Sequence, residues 1–151
     1  MDASIFEMLS RLFRVTRILS KDYAPTHTTF HTKLFIKLDD SLDKPLMGTR
    51  RNECAKPQLD LVVAAPSLDE LREFLRLNSA RIQEILLEAQ IEKRVELLRK
   101  KYSKKVDDDL KEVLGMSVRA PENMKATKKG ERFLWGGTNL LEKDMNLVVY
   151  T

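Results

Sequence analysis

The sequence predicts an α+β fold in the order α-β-β-α-α-β-β, with a small antiparallel sheet packed against a long helix and an N-terminal amphipathic helix. Three observations carry this. Residues 67–114 hold neither Pro nor Gly and repeat their apolar residues at helical steps. Residues 27–38 and 58–64 alternate apolar and polar positions, as half-buried strands do. Two further short strand-like runs, 132–135 and 146–150, lie in the C-terminal region 131–151 around Gly136-Gly137.

The first element is an amphipathic helix within 1–22. Ile5, Met8, Leu9, Leu12, Phe13 and Leu19 recur at roughly helical spacing, with Val15 at the edge of the stripe. Arg11, Arg14 and Arg17 occupy much of the other side. Tyr23-Ala24-Pro25 ends the helix, because the residue before a proline avoids helical backbone angles.

A β-ribbon with a long loop follows over 27–64. In its first strand Phe30, Leu34, Ile36 and Leu38 share a face with Thr28 and Thr32. His27, Thr29, His31, Lys33 and Lys37 line the other face, with Phe35 the exception. Residues 39–57 read as a loop, marked by Asp39-Asp40, Pro45, Gly48 and Pro57. Leu59, Leu61 and Val63 define the second strand, and the pair is expected to lie antiparallel across the loop.

The long helix starts at Pro66-Ser67, where Ser67 and Glu70 form a capping box. Leu68, Leu71, Leu75, Asn78, Ile82, Ile85 and Ala89 follow steps of three and four. A second set, Ile91, Val95, Leu98 and Tyr102, continues after a phase shift near 89–91. Phe74, Leu77, Leu86, Leu87 and Leu97 widen the stripe, and Asn78 in the seam reads as a register-setting polar residue. Unbroken, 67–114 would span about 70 Å, against a radius of gyration of about 15 Å for a compact chain of this size. A break at Ser103-Lys104-Lys105 resolves the mismatch. Beyond it Val106, Leu110, Val113 and Leu114 mark a short helix stopped by Gly115. Residues 116–130 read as a polar, basic linker, and Gly136-Gly137 as a turn between the last two strands.

The 151 residues fit one domain, and 42% hydrophobic with 33% charged residues is the composition of a folded chain. No apolar run approaches a membrane span. Charges at Glu7, Arg11, Arg14 and Arg17 interrupt any secretory h-region. With a single cysteine, Cys54, the expected setting is intracellular and cytoplasmic. The net charge of +4 is unevenly spread. Residues 67–92 are acidic, 91–105 and 119–132 are basic, and Asp107, Asp108 and Asp109 form an acidic knot.

No motif for catalysis, metal or cofactor emerges, so no catalytic residue, no cofactor and no small-molecule substrate are expected. His27 and His31 on a strand lie about 13 Å apart, too far to share a metal ion. Arg50-Arg51 could lower the Cys54 thiol pKa, but a plain loop cysteine is the simpler reading. The N-terminal helix could lie on a membrane surface, though its stripe suits a face docked on the sheet. The function expected is therefore non-enzymatic assembly or adaptation, by self-association or binding of another protein through residues 67–102. Leu71, Leu75, Ile82, Ile85, Val95 and Leu98 are the expected anchors. The alternative is a nucleic-acid-binding accessory protein using the basic segment 93–105, through Arg99, Lys100, Lys101, Lys104 and Lys105 with Arg50 and Arg51.

Overall fold

The computed structural model describes residues 9–10, 13–139 and 144–151. The fold is α+β, with three α-helices and two three-stranded sheets among the described residues. Composition alone counts one domain; the contacts fall into two compact units, Met1–Lys93 and Arg94–Thr151.

The first unit is built on β1 (Thr32–Leu38), β2 (Leu46–Arg51) and β3 (Leu59–Ala65), in the spatial order β1-β3-β2. It also contains helix α1 (Leu68–Leu77) and most of α2 (Ser79–Lys100). The central strand β3 is buried at nearly every position. Register sets Leu34 and Ile36 beside Leu61 and Val63, with Met47 on the far side of Val63. This face packs against Leu71 and Leu75 of α1 and Ile82, Ile85, Leu86 and Ala89 of α2. Each large apolar side chain fully buried there contributes about 1.5–3 kcal/mol, more than any difference in helix propensity.

The opposite face of the sheet carries an ion pair. Lys33 and Asp60 are register partners, with Nζ 3.1 Å from Oδ1 and both side chains nearly buried. Lys33 also donates to the Thr28 carbonyl at 2.7 Å. Asp60 Oδ1 has no aligned hydrogen-bond donor, so the contact is ionic. Gln58 ties the segment before β1 to β3 by donating to the carbonyls of Thr28 (2.6 Å) and Phe30 (3.0 Å).

Several expected elements differ. Ile5, Met8, Arg11 and Leu12 lie outside the described residues. Leu9 and Ser10 are helical, but 13–19 is not. Phe13, Val15 and Ile18 are half-buried while Arg14, Thr16 and Arg17 are exposed. Near-alternation with β-branched Val15, Thr16 and Ile18 suits extended chain better than helix. Two 3-10 turns follow, Ser20–Asp22 and Pro25–His27, so the strand expected from 27 begins at Thr32.

The expected loop 39–57 contains β2. Its sequence, Leu46-Met47-Gly48-Thr49-Arg50-Arg51, shows little alternation because it is an edge strand held by pairing with β3. That insertion also overturns the antiparallel ribbon: β2 runs antiparallel to β3, and β1 pairs parallel to it on the other side.

The long helix is broken twice. Asn78 sits at a non-helical ψ of 11° and its Nδ2 donates to the Phe74 carbonyl at 2.8 Å. It closes α1 rather than setting a coiled-coil register. The second break, at 101–103, overlaps the expected Ser103-Lys104-Lys105 at Ser103 alone, because Ser103 caps a helix that Lys104 and Lys105 open.

The second unit contains the end of α2, helix α3 (Lys104–Leu114) and strands β4 (Ala126–Lys129), β5 (Phe133–Gly137) and β6 (Asn146–Tyr150). The sheet is antiparallel in the order β4-β5-β6. Ser103 caps α3 by accepting from the Val106 amide and donating to the Met124 carbonyl at 2.5 Å. Gly115, at φ +68°, ends the helix in the left-handed region. Val106, Leu110, Ala120, Met124 and Leu134 form the core. The basic linker thus includes a strand, β4. Gly136-Gly137 is strand rather than turn, because Val106 and Met124 press on Gly136 and the Trp135 ring lies over Gly137.

Candidate interaction surfaces

Leu71, Leu75, Ile82 and Ile85 are buried in the first unit's own core. They hold α1 and α2 to the sheet, which corrects their assignment as anchors for a partner. Val95 is exposed and Leu98 half-buried. At 100° per residue, Ile82, Ile85 and Ala89 cluster on one side of α2, and Leu87, Ile91, Val95 and Leu98 on the other. Leu87, Ile91 and Val95 are 53%, 54% and 42% exposed. The phase shift near 89–91 is therefore a change of face: the apolar set leaves the buried side and reappears on the outer side. Polar residues are the rule on the outer face of a surface helix, so this second stripe is the anomaly. Its signal was in the sequence, as the second apolar set and the extra Leu87.

Charge along α2 is segmented. Glu84, Glu88 and Glu92 stand in its first part, and Lys93, Arg94, Arg99 and Lys100 in its last. Among the described residues no ion pair joins Glu88 or Arg94 to another group, whereas Arg81 pairs with Glu84 within one turn.

The predicted basic residues divide in their partners. Arg99 pairs with Glu96 at 2.5 Å, Arg51 with Glu92 at 2.5 Å and Arg50 with Glu53 at 3.6 Å. Lys105 contacts Asp109 at 3.2 Å and donates to Thr127. Lys100, Lys101 and Lys104 are exposed and make no ion pair among the described residues. Arg50 and Arg51 belong to the first unit, and 99–105 to the second. Arg119 lies 4.8 Å from the Tyr102 ring centre, a cation–π contact, and donates to the Arg99 carbonyl.

The acidic knot is structural. Asp107 accepts from Lys111 at 2.6 Å, from the Val118 amide at 3.1 Å and from the Ser117 hydroxyl. Lys111 and then Ser117 hold its pKa below the ordinary carboxylate value. Asp109 faces Lys129 at 2.8 Å and Lys105 at 3.2 Å. The Lys129 contact above all, with Thr127 and Lys105, lowers its pKa to about 2. These carboxylates clamp α3 to β4 and to the loop after α3.

His27 Nδ1 accepts from the Ala24 amide at 2.8 Å. His31 Nδ1 lies 2.9 Å from Thr32 Oγ1. Burial, then the charge of Lys93, lowers the His31 pKa against an opposing effect of Glu92. Cys54 is free and exposed. Among the described residues no cluster of His, Cys, Asp and Glu is placed to hold a metal ion, and no helix is long and apolar enough to cross a membrane. A cavity of about 300 Å³ lies in the first unit, lined by residues 13–18, Tyr23, Phe30 and β1 among others. Its buried cation, Lys33, is already engaged by Asp60.

Residues 103–151 match a protein family described as a domain of unknown function (DUF4837). The match runs from the cap of α3 through β6, within the second unit. No curated protein and no solved structure matches the chain.

Proposed function

We propose that this chain is a non-enzymatic assembly protein that acts inside the cell and self-associates through the outer face of α2. The observation that carries the reading is the exposed stripe of Leu87, Ile91 and Val95, on the side of the helix opposite the residues that hold it to its own sheet. An exposed apolar row of this kind loses water only against a second surface. Charge favours an antiparallel copy as that surface. Antiparallel α2 helices set the acidic part of one against the basic part of the other, whereas parallel helices set like charge against like. Two identical stripes related by a two-fold axis form a closed, isologous contact.

Sedimentation equilibrium of the full chain from low to high micromolar concentration tests this. The expected result is a dimer that Ile91→Asp converts to a monomer with an unchanged far-UV CD spectrum, since Ile91 lies outside the core. A monomer at every concentration refutes the proposal, as does a dimer indifferent to Ile91→Asp.

A further inference from the structure

We propose that the outer face of the second unit's sheet is a stacking platform for single-stranded nucleic acid. The register places Phe133, Trp135 and Gly137 of β5 on one face with Tyr150, Val148 and Asn146 of β6 and with Lys128 of β4. The other face of the same strands supplies the core, through Leu134, Leu147 and Val149. A sheet packed on one side normally turns polar residues outward. Here Phe133 is 37%, Val148 55% and Tyr150 77% exposed.

The rings are held by two glycines. A Cβ on Gly137 would meet the Trp135 ring at 2.6 Å, and one on Gly130 would meet the Phe133 ring at 2.1 Å. Each ring therefore lies close over bare backbone, where any side chain would push it away. Trp135 Nε1 donates to Asn146 Oδ1 at 2.9 Å, which fixes the indole across the sheet. The Cα atoms of Phe133 and Trp135 are about 6.7 Å apart along the strand, and their rings lean apart, towards Gly130 and Gly137. Each ring offers a separate face on which one base of an unstacked, extended strand can stack.

Charge selects nucleic acid over an apolar protein surface as the occupant. Lys128 stands beside Trp135 on the same face. Lys125 and Arg132, exposed at the ends of the strands, also make no ion pair among the described residues, in contrast to Lys129, which Asp109 and Glu112 neutralise. Aromatic rings for bases and free cations for phosphates are the two parts that sequence-tolerant single-strand binding needs. The site is separate from the α2 stripe and does not depend on self-association.

Trp135 is the chain's single tryptophan, so its emission reads the site directly. Titration of the full chain with oligo(dT) of twelve nucleotides at low salt is expected to quench it saturably. Affinity should fall as salt rises. Tyr150→Ala and Lys128→Glu should each weaken binding, Tyr150→Ala by about tenfold, with thermal unfolding unchanged because both side chains are exposed. A Lys100→Glu/Lys101→Glu/Lys104→Glu variant should retain the quenching by oligo(dT). No quenching by oligo(dT) at high micromolar concentration overturns the proposal. So does binding that survives Tyr150→Ala and Lys128→Glu but is lost in the triple variant.

Discussion

Asp109→Asn should destabilise the second unit at neutral pH and do so no longer in strong acid. The carboxylate lies 2.8 Å from Lys129 and 3.2 Å from Lys105, with its side chain 13% exposed. Its pKa falls from 3.8 to about 2. At about 1.36 kcal/mol per pKa unit, the shift corresponds to at most about 2.4 kcal/mol. Both lysines are partly open to water, which screens the pairs and reduces the expected loss to about 1–2 kcal/mol. The sign follows from linkage. The folded pKa is depressed, so the stabilisation is complete above the unfolded value near 3.8 and fades as pH falls towards 2. Urea titrations followed by Trp135 emission report this unit specifically, because that residue lies in β5. The variant should unfold at lower urea at pH 7, and the gap should shrink to a small remainder at pH 2, where the folded parent's carboxylate is half protonated. Equal midpoints at pH 7, or a gap at pH 2 as large as the one at pH 7, would refute the electrostatic clamp.

The buried pair in the first unit gives a contrasting prediction. Asp60→Ala leaves Lys33 buried without its partner and should cost about 3–5 kcal/mol, whereas the double variant Lys33→Met/Asp60→Leu should cost far less. Thermal unfolding by CD compares the two, and equal losses would show that the pair's charge is not what matters. Gly137→Ala should displace the Trp135 ring from the sheet and break its bond to Asn146, shifting the emission to longer wavelength in the folded protein. An unshifted spectrum would mean that the ring is not seated on that glycine.

The interaction surfaces were partly legible. The second apolar set in α2 and the extra leucines that widen the stripe could be counted in the sequence, but not which set faces inward. Two apolar stripes on one helix compete for a single sheet. Their competition is decided by where β3 lies, and hence Ile82 and Ile85, like Leu71 and Leu75 of α1, are core residues rather than anchors. Which lysines are free was likewise hidden. Lys105 and Lys129 are paired by carboxylates on α3, one of them 20 residues away in sequence from its partner.

By itself the sequence determined the α+β class, the Ser67 cap on the Glu70 amide, the break at Ser103, the stop at Gly115 and a strand at 59–65, but not that this strand is buried on both faces instead of alternating. The features it determined rest on neighbours within a few residues, where capping, backbone conformation and side-chain period act. Only the tertiary structure decided the parallel pairing of β1 with β3, the edge strands β2 and β4, and the non-helical course of 13–19. Edge strands gain their hydrogen bonds from a distant partner, and the bare sequence of such a strand carries little period of its own. The same holds for Gly136-Gly137. Local preference reads the pair as a turn, while the ring of Trp135 and the core side chains Val106 and Met124 make it the middle of a sheet.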